Sequence, residues 1–404
     1  MLFKVAWRNV WRNKRRSLIV LVSIVVGVTA LILNDTLSIG WSEQMLNNQI
    51  GLDAAHVQIS LKGYHDDPVL EKSIPNGAAI DSLLSNEPSI KYYSERLVFY
   101  GLVSSSANSS GITIVGIQPE KERHITTIHQ FIVEGHYLDG GEREILISRK
   151  LAQKLSVDLG EKVVIMASRP DGDIGSDVFR ISGLFQSVNS DFDKSHIYIP
   201  IQAARRMMEV GPYVSQFAII AQDFQKVDQL KTKLRRELPD QYEVMSYRDI
   251  LPLLILQVKL YDEFSYITYF IVGLALLFGI INTMLMAVME RIHEFGVLKS
   301  IGMPNGHIFR MILYEALLLG VTGMAFGMLC GYLLYLPLSH SGLDLSRFAS
   351  SLSSFGTGAI IYPVLRLKTL INVIVIIPLF AVGGALYPAY KAVRFVPVEA
   401  LRYV

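Results

Sequence analysis

Cysteine is nearly absent from this chain: Cys330 is the only one among 404 residues, and it lies inside an apolar run. An intramolecular disulfide and a paired-cysteine metal or redox site are therefore excluded. Charge is also scarce, since 18% of the residues are Asp, Glu, Lys or Arg while 51% are hydrophobic. With a formal net charge of +2 and no recognisable nucleic-acid module, we expect no nucleic-acid partner. Such a composition directs attention to the membrane.

The sequence motifs of common enzymes are absent as well. The chain contains no phosphate-binding GxxxxGK[ST] loop, no HExxH and no GxSxG, and its nine histidines follow no metal-ligand spacing. Its densest acidic cluster, Asp171, Asp173 and Asp177, is typical of a solvated turn, because Asp and Gly favour turn conformations. A hidden catalytic site there is the less favoured alternative. We expect a chain without catalytic residues, metal ligands or a cofactor of its own.

Four segments satisfy the length rule for a transmembrane helix, which requires about 20 mostly apolar residues to cross a hydrocarbon core about 30 Å thick. They predict spans at residues 17–40, 263–289, 308–338 and 369–390. The first apolar run lacks a small-residue cleavage site and follows a long basic segment, which favours a retained anchor over a removed signal peptide. One predicted span therefore lies at the start and three lie near the end.

Basic residues in the short flanks predict the orientation, because lysine and arginine accumulate on the cytoplasmic side. The segments before the first span and after the fourth are both basic, through Lys4, Arg8, Arg12, Lys14, Arg15 and Arg16 and through Lys391, Arg394 and Arg402. Both termini are expected in the cytoplasm, and the short outer loop with Arg347, Arg366 and Lys368 is a minor conflict. The predicted order is a cytoplasmic amphipathic helix (1–16), an extracytoplasmic domain with a stalk (41–262), a cytoplasmic connection (290–307), an extracytoplasmic loop (339–368) and a cytoplasmic tail (391–404).

The long segment between the first two spans has the pattern of a folded domain. Short β-rich runs bounded by Gly, Asp, Asn and Pro include "HVQIS", "GITIVGI", "EILIS", "KVVIMAS", "VFRISGLF", "HIYIP" and "FAIIA". Helical patterns lie between them, as in "FQKVDQLKTKLRREL". The predicted fold class is a membrane protein with four transmembrane helices, one N-terminal and three C-terminal, and a large α+β extracytoplasmic domain between spans 1 and 2.

Two helix faces have a recognisable pattern. In the N-terminal segment Phe3, Trp7, Val10 and Trp11 share one helical face, and the basic residues lie largely on another. This favours a helix that anchors in the headgroup layer. The third span has glycines at spacings of three and four, which predict close packing against another span or another protomer; they are Gly320, Gly323, Gly327 and Gly331.

The connection at residues 290–307 is longer than a turn between antiparallel helices requires. Its helix formers are followed by the break "GMPNG". Apolar side chains interleave with the charges; they are Ile292, Phe295, Val297, Leu298 and Ile301. Such a surface suits docking into a partner's groove, and it equally suits a helix that lies on lipid. The residues alone leave these two hypotheses even.

The order of these features resembles a known family, the permease subunits of MacB/FtsX-type ABC transporters, and is most similar to the lipoprotein-releasing LolC/LolE branch. The pattern "ER..E.G.LK..G" follows the second span, and "YPAYKAVRFVPVEALRY" is similar to the family's C-terminal ending, with Pro388, Ala389, Ala392, Pro397, Ala400, Leu401 and Arg402 in place. The segments "WSEQMLNNQIGLDAAHVQIS" and "EGHYLDGGEREILISRKLAQKLSVDLGEKVVI" resemble the outer domain of that branch. The resemblance covers nearly the whole chain.

This resemblance implies a permease subunit of the bacterial inner membrane that pairs with itself or a paralogue. It also implies a separate ABC ATPase in two copies, which would bind ATP and Mg²⁺. The coupling helix that meets the ATPase would use Glu290, Arg291, Glu294, Phe295, Gly296, Leu298, Lys299 and Gly302. Mechanical transmission would then extract lipoproteins from the outer leaflet through a cavity with candidate lining residues Leu31, Leu33, Leu37, Tyr261, Phe264, Tyr266 and Tyr269.

One segment departs from the closest branch. Members that recruit a periplasmic carrier do so through an extended hook between two outer-domain strands, and here the corresponding connection, residues 167–180, is short. A periplasmic carrier or adaptor therefore stays an open partner. Two alternatives also stay open: a MacB-like export permease for amphiphiles or peptides, and a membrane-anchored sensor or interaction protein.

Overall fold

The computed structural model describes residues 2–12 and 14–394. Most of the predicted cytoplasmic tail, with Pro397, Ala400, Leu401 and Arg402, lies outside the described residues. The chain forms two compact units. We call them the membrane unit, which comprises residues 2–42, 258–344 and 360–394 among those described, and the inserted domain, Glu43–Gln257 with Leu345–Ala359.

Fourteen α-helices occur in the described part of the chain. They are α1 (Leu2–Arg12), α2 (Lys14–Gln49), α3 (Ala78–Ser85), α4 (Pro119–Glu122), α5 (Arg149–Leu155), α6 (Ser190–Ser195), α7 (Ile201–Met207), α8 (Val227–Glu237), α9 (Tyr247–Ile250), α10 (Pro252–Glu290), α11 (Ile292–Ser300), α12 (Asn305–Ser341), α13 (Ala349–Ser354) and α14 (Leu367–Arg394).

Four of these helices, α2, α10, α12 and α14, are long and apolar enough to cross a membrane. The predicted arrangement of one N-terminal and three C-terminal spans is thereby confirmed. Helix α2 extends beyond the predicted span and ends in a π-helical turn, Ile50–Ala54. Helix α10 begins at Pro252, so the segment predicted as a stalk before the second span is the first part of the same helix.

The core of the membrane unit consists of small and branched apolar side chains from all four long helices. Val28 of α2 and Val373, Ala381, Ala385 and Ala389 of α14 are fully buried. The outward faces are apolar as well and include Ile19, Phe278 and Leu379 among their exposed side chains. A unit that is apolar both inside and outside fits a bilayer, where backbone polar groups must be satisfied within each helix.

The inserted domain contains a ten-stranded mixed sheet. Its strands are β1 (Val57–Leu61), β2 (Ile90–Ser104), β3 (Ser109–Ile117), β4 (Ile132–Gly135), β5 (Glu144–Ser148), β6 (Lys162–Ser168), β7 (Ile174–Phe185), β8 (His196–Pro200), β9 (Gln216–Ala221) and β10 (Tyr242–Ser246). Two further two-residue strands of the membrane unit, β11 (Leu343–Asp344) and β12 (Ile360–Ile361), pair with each other.

The strand order is β10-β1-β9-β2-β3-β8-β5-β7-β4, and β6 pairs with both β2 and β7. Most pairs are antiparallel, but β3 with β8 and β5 with β7 are parallel. Strand β2 is central because it pairs with three neighbours, β3, β6 and β9. The α+β class predicted for this domain is confirmed.

Helices cover the sheet with periodic apolar faces. Helix α8 buries Val227, Leu230 and Leu234 at helical spacing. Ser148, the last residue of β5, caps the start of helix α5, because its hydroxyl accepts a hydrogen bond from the Leu151 amide at 3.0 Å. Its buried Leu151 and Leu155 join Phe179 and Ile197 in the core. The domain therefore has an apolar core built on large side chains.

Candidate functional site

The connection between the second and third spans is a short helix bounded by two breaks. Helix α10 ends at Glu290, Arg291 leaves the helical conformation, and α11 runs from Ile292 to Ser300. Gly302 ends α11 with a φ of 96°, which favours glycine, and its amide donates to the Lys299 carbonyl at 3.0 Å. Pro304 then precedes α12. The structure thus contains a separate helix where residues 290–307 predicted one.

The apolar side chains of α11 do not form one surface. Ile292 and Phe295 are 2% and 3% exposed, and Phe295 and Leu298 pack in the core of the membrane unit. The Arg291 guanidinium lies over the Phe295 ring at 5.2 Å. Val297 and Ile301 are exposed, Ile301 by 78%. Within the chain, Phe295 is therefore buried and Leu298 partly buried, while Val297 and Ile301 are exposed, and the coupling role of these residues stays a prediction.

The acidic residues of α11 and of the end of α10 face the N-terminal segment. Glu294 forms ion pairs with Arg12 at 2.8 Å and with Arg291 at 3.1 Å, and Glu290 pairs with Arg16. Partial burial would raise the pKa of Glu294, but the hydrogen bonds from Arg12 and Arg291 outweigh it and lower the pKa. Glu294 is therefore ionised at neutral pH.

Lys299 lies near the C-terminal end of α11. Its amine donates a hydrogen bond to the carbonyl of Val393 in α14 at 2.6 Å. Burial lowers the pKa of Lys299. The contact ties the C-terminal half of α11 to the last span.

A carboxylate of the third span completes this cluster. Glu315 of α12 is 8% exposed at its side chain, pairs with Arg291 at 3.0 Å and accepts a hydrogen bond from the Asn9 amide at 2.6 Å. The sequence showed Glu315 as one charge near the start of an apolar run, without a partner. A charged residue inside a span is expensive and therefore points to a site, but only the fold identifies Arg291 and Asn9 as its partners.

The N-terminal helix α1 contacts the other helices more closely than an anchor requires. Ala6 and Val10 are buried in the core of the membrane unit, while Trp7 and Trp11 are exposed. The predicted apolar face of α1 is therefore divided, with Val10 directed inward. Next to α1 lies a cavity of about 310 Å³, lined by Arg12, Arg16, Met284, Arg291, Glu315 and Leu319 among others.

The candidate cavity residues at the outer ends of spans one and two occupy different environments. Leu31 and Tyr269 are 2% exposed and belong to the core of the membrane unit, whereas Phe264 and Tyr266 are exposed. Leu33, Leu37 and Tyr261 are partly buried, and the Tyr261 ring lies 5.7 Å from that of Trp41. The shared substrate cavity assigned to these seven residues therefore stays a prediction.

Sequence reasoning gave Asp35 no role, although it interrupts the first span. Asp35 is 6% exposed and accepts a hydrogen bond from the Thr369 hydroxyl of α14. Tyr269 of α10 lies near both side chains. A carboxylate in an apolar run is the signal that could have found this contact between three spans.

The glycine row of α12 lies against two neighbouring helices. A Cβ atom added at Gly323, Gly327 or Gly331 would lie 2.7, 2.6 and 3.0 Å from Ile24, Val28 and Ile32 of α2, respectively. At Gly320 it would lie 2.6 Å from the Ala381 Cβ of α14. Small side chains therefore allow close helix packing within the chain.

No group of three or more His, Cys, Asp or Glu side chains that could hold a metal occurs among the described residues. Of the acidic cluster, Asp171 and Asp173 lie in the tight turn between β6 and β7, where Asp171 accepts a hydrogen bond from the Asp173 amide at 3.0 Å, whereas Asp177 belongs to strand β7. Gly172 supports the turn with a φ of 91°. The hairpin is short, with only Arg169–Asp173 between its strands.

Comparisons with known proteins identify the class. The description "MacB-like periplasmic core domain" matches residues 17–237, and "FtsX-like permease C-terminal" matches residues 266–397. The four candidate spans and the inserted α+β domain are those of an ABC transporter permease. The chain belongs to the MacB/FtsX family of these permeases.

The relatives share its full length at low identity. The chain is 20% identical to the lipoprotein-releasing system transmembrane protein LolE of Haemophilus influenzae, with 99% of this chain and 98% of that protein covered. It is 25% identical to the uncharacterized ABC transporter permease YknZ of Bacillus subtilis, over 99% and 98%. The crystal structure of the periplasmic region of MacB from Actinobacillus actinomycetemcomitans matches 52% of this chain and 97% of that one, at 14% identity and a TM-score of 0.37.

Proposed function

We propose that this chain is the permease subunit of a lipoprotein-releasing transporter, and that a separate ATPase docks on the exposed face of α11. The supporting observation is the division of α11 and its C-terminal cap: Ile292 and Phe295 are buried, Phe295 within the core of the membrane unit, while Val297 and the capping residue Ile301 are exposed. A motion imposed on the exposed face would therefore reach the spans directly. In this proposal α11 and both chain termini are cytoplasmic, and the inserted domain is periplasmic.

The ATPase, in two copies, would bind ATP and Mg²⁺, and the permease would pair with itself or a paralogue. The proposed substrate is a lipoprotein taken from the outer leaflet of the inner membrane. This substrate is proposed from the full-length similarity to a protein named for lipoprotein release. The exposed outer-end side chains Phe264 and Tyr266 are the residues that we propose face the substrate or the second permease.

The docking proposal is tested by the change Ile301→Asp. Ile301, the C-terminal capping residue of α11, is 78% exposed. A carboxylate there should lower the amount of copurified ATPase about tenfold, which corresponds to about 1.4 kcal/mol of binding free energy. The matched control is Ile174→Asp, because Ile174 is 72% exposed and belongs to the inserted domain. Equal ATPase recovery from the two variants would contradict docking on this face.

A second function, export of amphiphiles or peptides without a periplasmic carrier, is favoured by one observation. The β6–β7 hairpin has only five residues between its strands, Arg169–Asp173, and so offers no extended hook. The purified complex decides between the two functions. Stimulation of its ATP hydrolysis by a triacylated lipoprotein supports release, whereas stimulation by a small amphiphile or peptide alone supports export.

A further inference from the structure

Three helices of the membrane unit meet at one buried carboxylate. Glu315 of α12 is 8% exposed at its side chain, and the Arg291 guanidinium binds both of its oxygens, at 3.0 and 3.3 Å. The Asn9 amide of α1 donates to the same carboxylate at 2.6 Å. The end of α10, the N-terminal helix and the third span are therefore joined through a single side chain.

The N-terminal segment forms two further ion pairs with the same region. Arg12, the last residue of α1, pairs with Glu294 of α11 at 2.8 Å, and Arg16 at the start of α2 pairs with Glu290. Arg291 completes the network because it contacts both Glu294 and Glu315. Lipid anchoring alone would require none of these contacts. Glu290 at the end of α10 and Glu294 of α11 are thus both paired with the chain's own N-terminal segment.

Stability alone does not explain why the Arg291–Glu315 ion pair is present at this position. Removing two charges from water costs several kcal/mol per ion, and a well-packed apolar pair of similar volume often stabilises a protein equally well. The Arg291–Glu315 pair also borders the cavity of about 310 Å³ next to α1, so its side chains have room to rearrange. An ion pair with a preferred geometry can hold two helices in register. Because a cavity lies next to it, its side chains can also exchange partners.

We propose that Glu315 is a positioning residue for energy coupling and that α1, with Arg12 and Arg16, is a second, N-terminal part of the coupling apparatus. This inference rests on the proposed function, in which an ATPase acts on α11. A displacement of α11 is passed to α12 through Arg291 and Glu315 and to α1 through the Arg12–Glu294 pair, while Arg16 joins the end of α10 to the first span. The N-terminal helix holds α11 at the angle from which this transmission starts.

The first test is Glu315→Gln in the assembled permease–ATPase complex in lipid nanodiscs. Glutamine keeps the shape and can still bind one partner, but it removes the charge. We expect complex recovery and basal ATP hydrolysis to stay at the wild-type level, while substrate release per ATP hydrolysed falls about 2- to 30-fold, the range expected for a coupling residue. A purely structural role would lower recovery and both activities together and leave release per ATP unchanged.

The second test uses the Arg16–Glu290 pair, so that the inference does not depend on a buried position alone. Arg16→Glu places two carboxylates together and should lower release per ATP, and the double variant Arg16→Glu with Glu290→Arg should restore most of it. The control is Arg8→Glu, which makes the same charge change at an exposed residue of α1 and should have little effect. Failure of the double variant to restore release overturns the role of the N-terminal segment.

The outcomes separate the two levels of the proposal. If the wild-type permease recovers no ATPase, the proposed function fails. If the wild-type complex assembles and releases substrate but Glu315→Gln keeps the wild-type ratio of release to hydrolysis, only the present inference fails.

Discussion

Two arginine–carboxylate pairs, one in each unit, differ in depth and in surroundings. In the inserted domain Arg96 and Glu122 are 1% and 0% exposed at their side chains and lie 2.7 Å apart. In the membrane unit Arg291 and Glu315 are 13% and 8% exposed and border a cavity. The first pair is enclosed by a packed core, and the second lies beside this cavity, where α1, α12 and the end of α10 meet.

The surroundings of Arg96 explain why that pair is rigid. Its guanidinium also donates to the Asp53 carbonyl at 2.7 Å, and Asp53 belongs to the π-helical turn that follows α2. The neighbouring Gly51 carbonyl accepts from the Thr127 amide at 2.8 Å. These bonds satisfy carbonyl groups at the end of a helix that would otherwise be unpaired. Arg96 therefore fixes the entry of the chain into the sheet, whereas Arg291 connects elements that we expect to move.

The largest predicted effect comes from removing the arginine of each pair. Arg96→Leu leaves Glu122 fully buried without its counter-ion and should lower the free energy of unfolding by about 3–5 kcal/mol. Arg291→Leu should cost less, about 1–3 kcal/mol, because Glu315 keeps its hydrogen bond from Asn9 and its side chain is 8% exposed. Thermal unfolding of the purified chain in detergent measures both.

The matched control is Arg248→Leu, since the Arg248–Asp228 pair of the inserted domain has side chains 48% and 62% exposed. Its loss should be about 0–1 kcal/mol. If Arg96→Leu and Arg291→Leu destabilise the chain equally, burial depth does not separate the structural pair from the mobile one.

Elements with a strong periodic pattern could be predicted from the sequence. Elements whose structure depends on pairing with distant parts of the chain were missed. Four apolar runs predicted four spans, and short runs such as "HIYIP" predicted strands, here β8. The longest strand, β2, was missed, because its exposed and buried residues do not alternate regularly along Ile90–Ser104. Its pairing with three other strands determines its structure, and those strands are distant in sequence.

The candidate site shows the same limit. The charges and breaks at residues 290–307 predicted a short helix, but not which of its faces is buried. Only the packing of α11 shows that Phe295 is inside and Ile301 outside. The partners of Glu315 are separated from it by 24 and 306 residues, so no local pattern could reveal them.

The cores of the two units also differ in how their side chains pack, and this difference predicts a change in stability of intermediate size. The inserted domain buries large side chains such as Phe179 and Phe217, whereas α12 meets α2 through glycines. In Gly327→Ala the new Cβ would lie 2.6 Å from the Val28 Cβ and 3.1 Å from the Val25 carbonyl oxygen. We expect overpacking to cost about 1–3 kcal/mol. The helix preference of alanine, about 1 kcal/mol, offsets part of it.

Gly279→Ala in α10 is the control for that substitution, because no described atom lies within 4 Å of the added Cβ. Its melting temperature in detergent should stay level or rise, while that of Gly327→Ala falls. A parallel response of the two variants would show that α12 and α2 are not closely packed there.

The smallest expected effect concerns pH and should separate the two units. In the inserted domain burial lowers the pKa of His56, His65 and His196, and carboxylates near His65 and His196 reverse this only in part. At His56 the Nδ1 atom accepts a hydrogen bond from the Ala221 amide at 3.1 Å, which requires an unprotonated nitrogen. All three imidazoles are therefore held neutral by the fold.

The direction of the change in stability with pH follows from the linkage between proton binding and folding. Because each folded-state pKa lies below the unfolded value of about 6.5, the stabilisation is present above that pH and is lost as pH falls through the folded-state pKa. The inserted domain should thus lose stability below about pH 6.5, by about 1.4 kcal/mol per histidine for each unit of pKa depression. The lowered pKa of Glu294 keeps its ion pairs intact over the same range. When limited proteolysis is repeated at pH values from 7.5 down to 5.5, cleavage should therefore appear first in the inserted domain. His56→Gln should make this cleavage less dependent on pH. Earlier cleavage around α11 would contradict this assignment of the titrating groups.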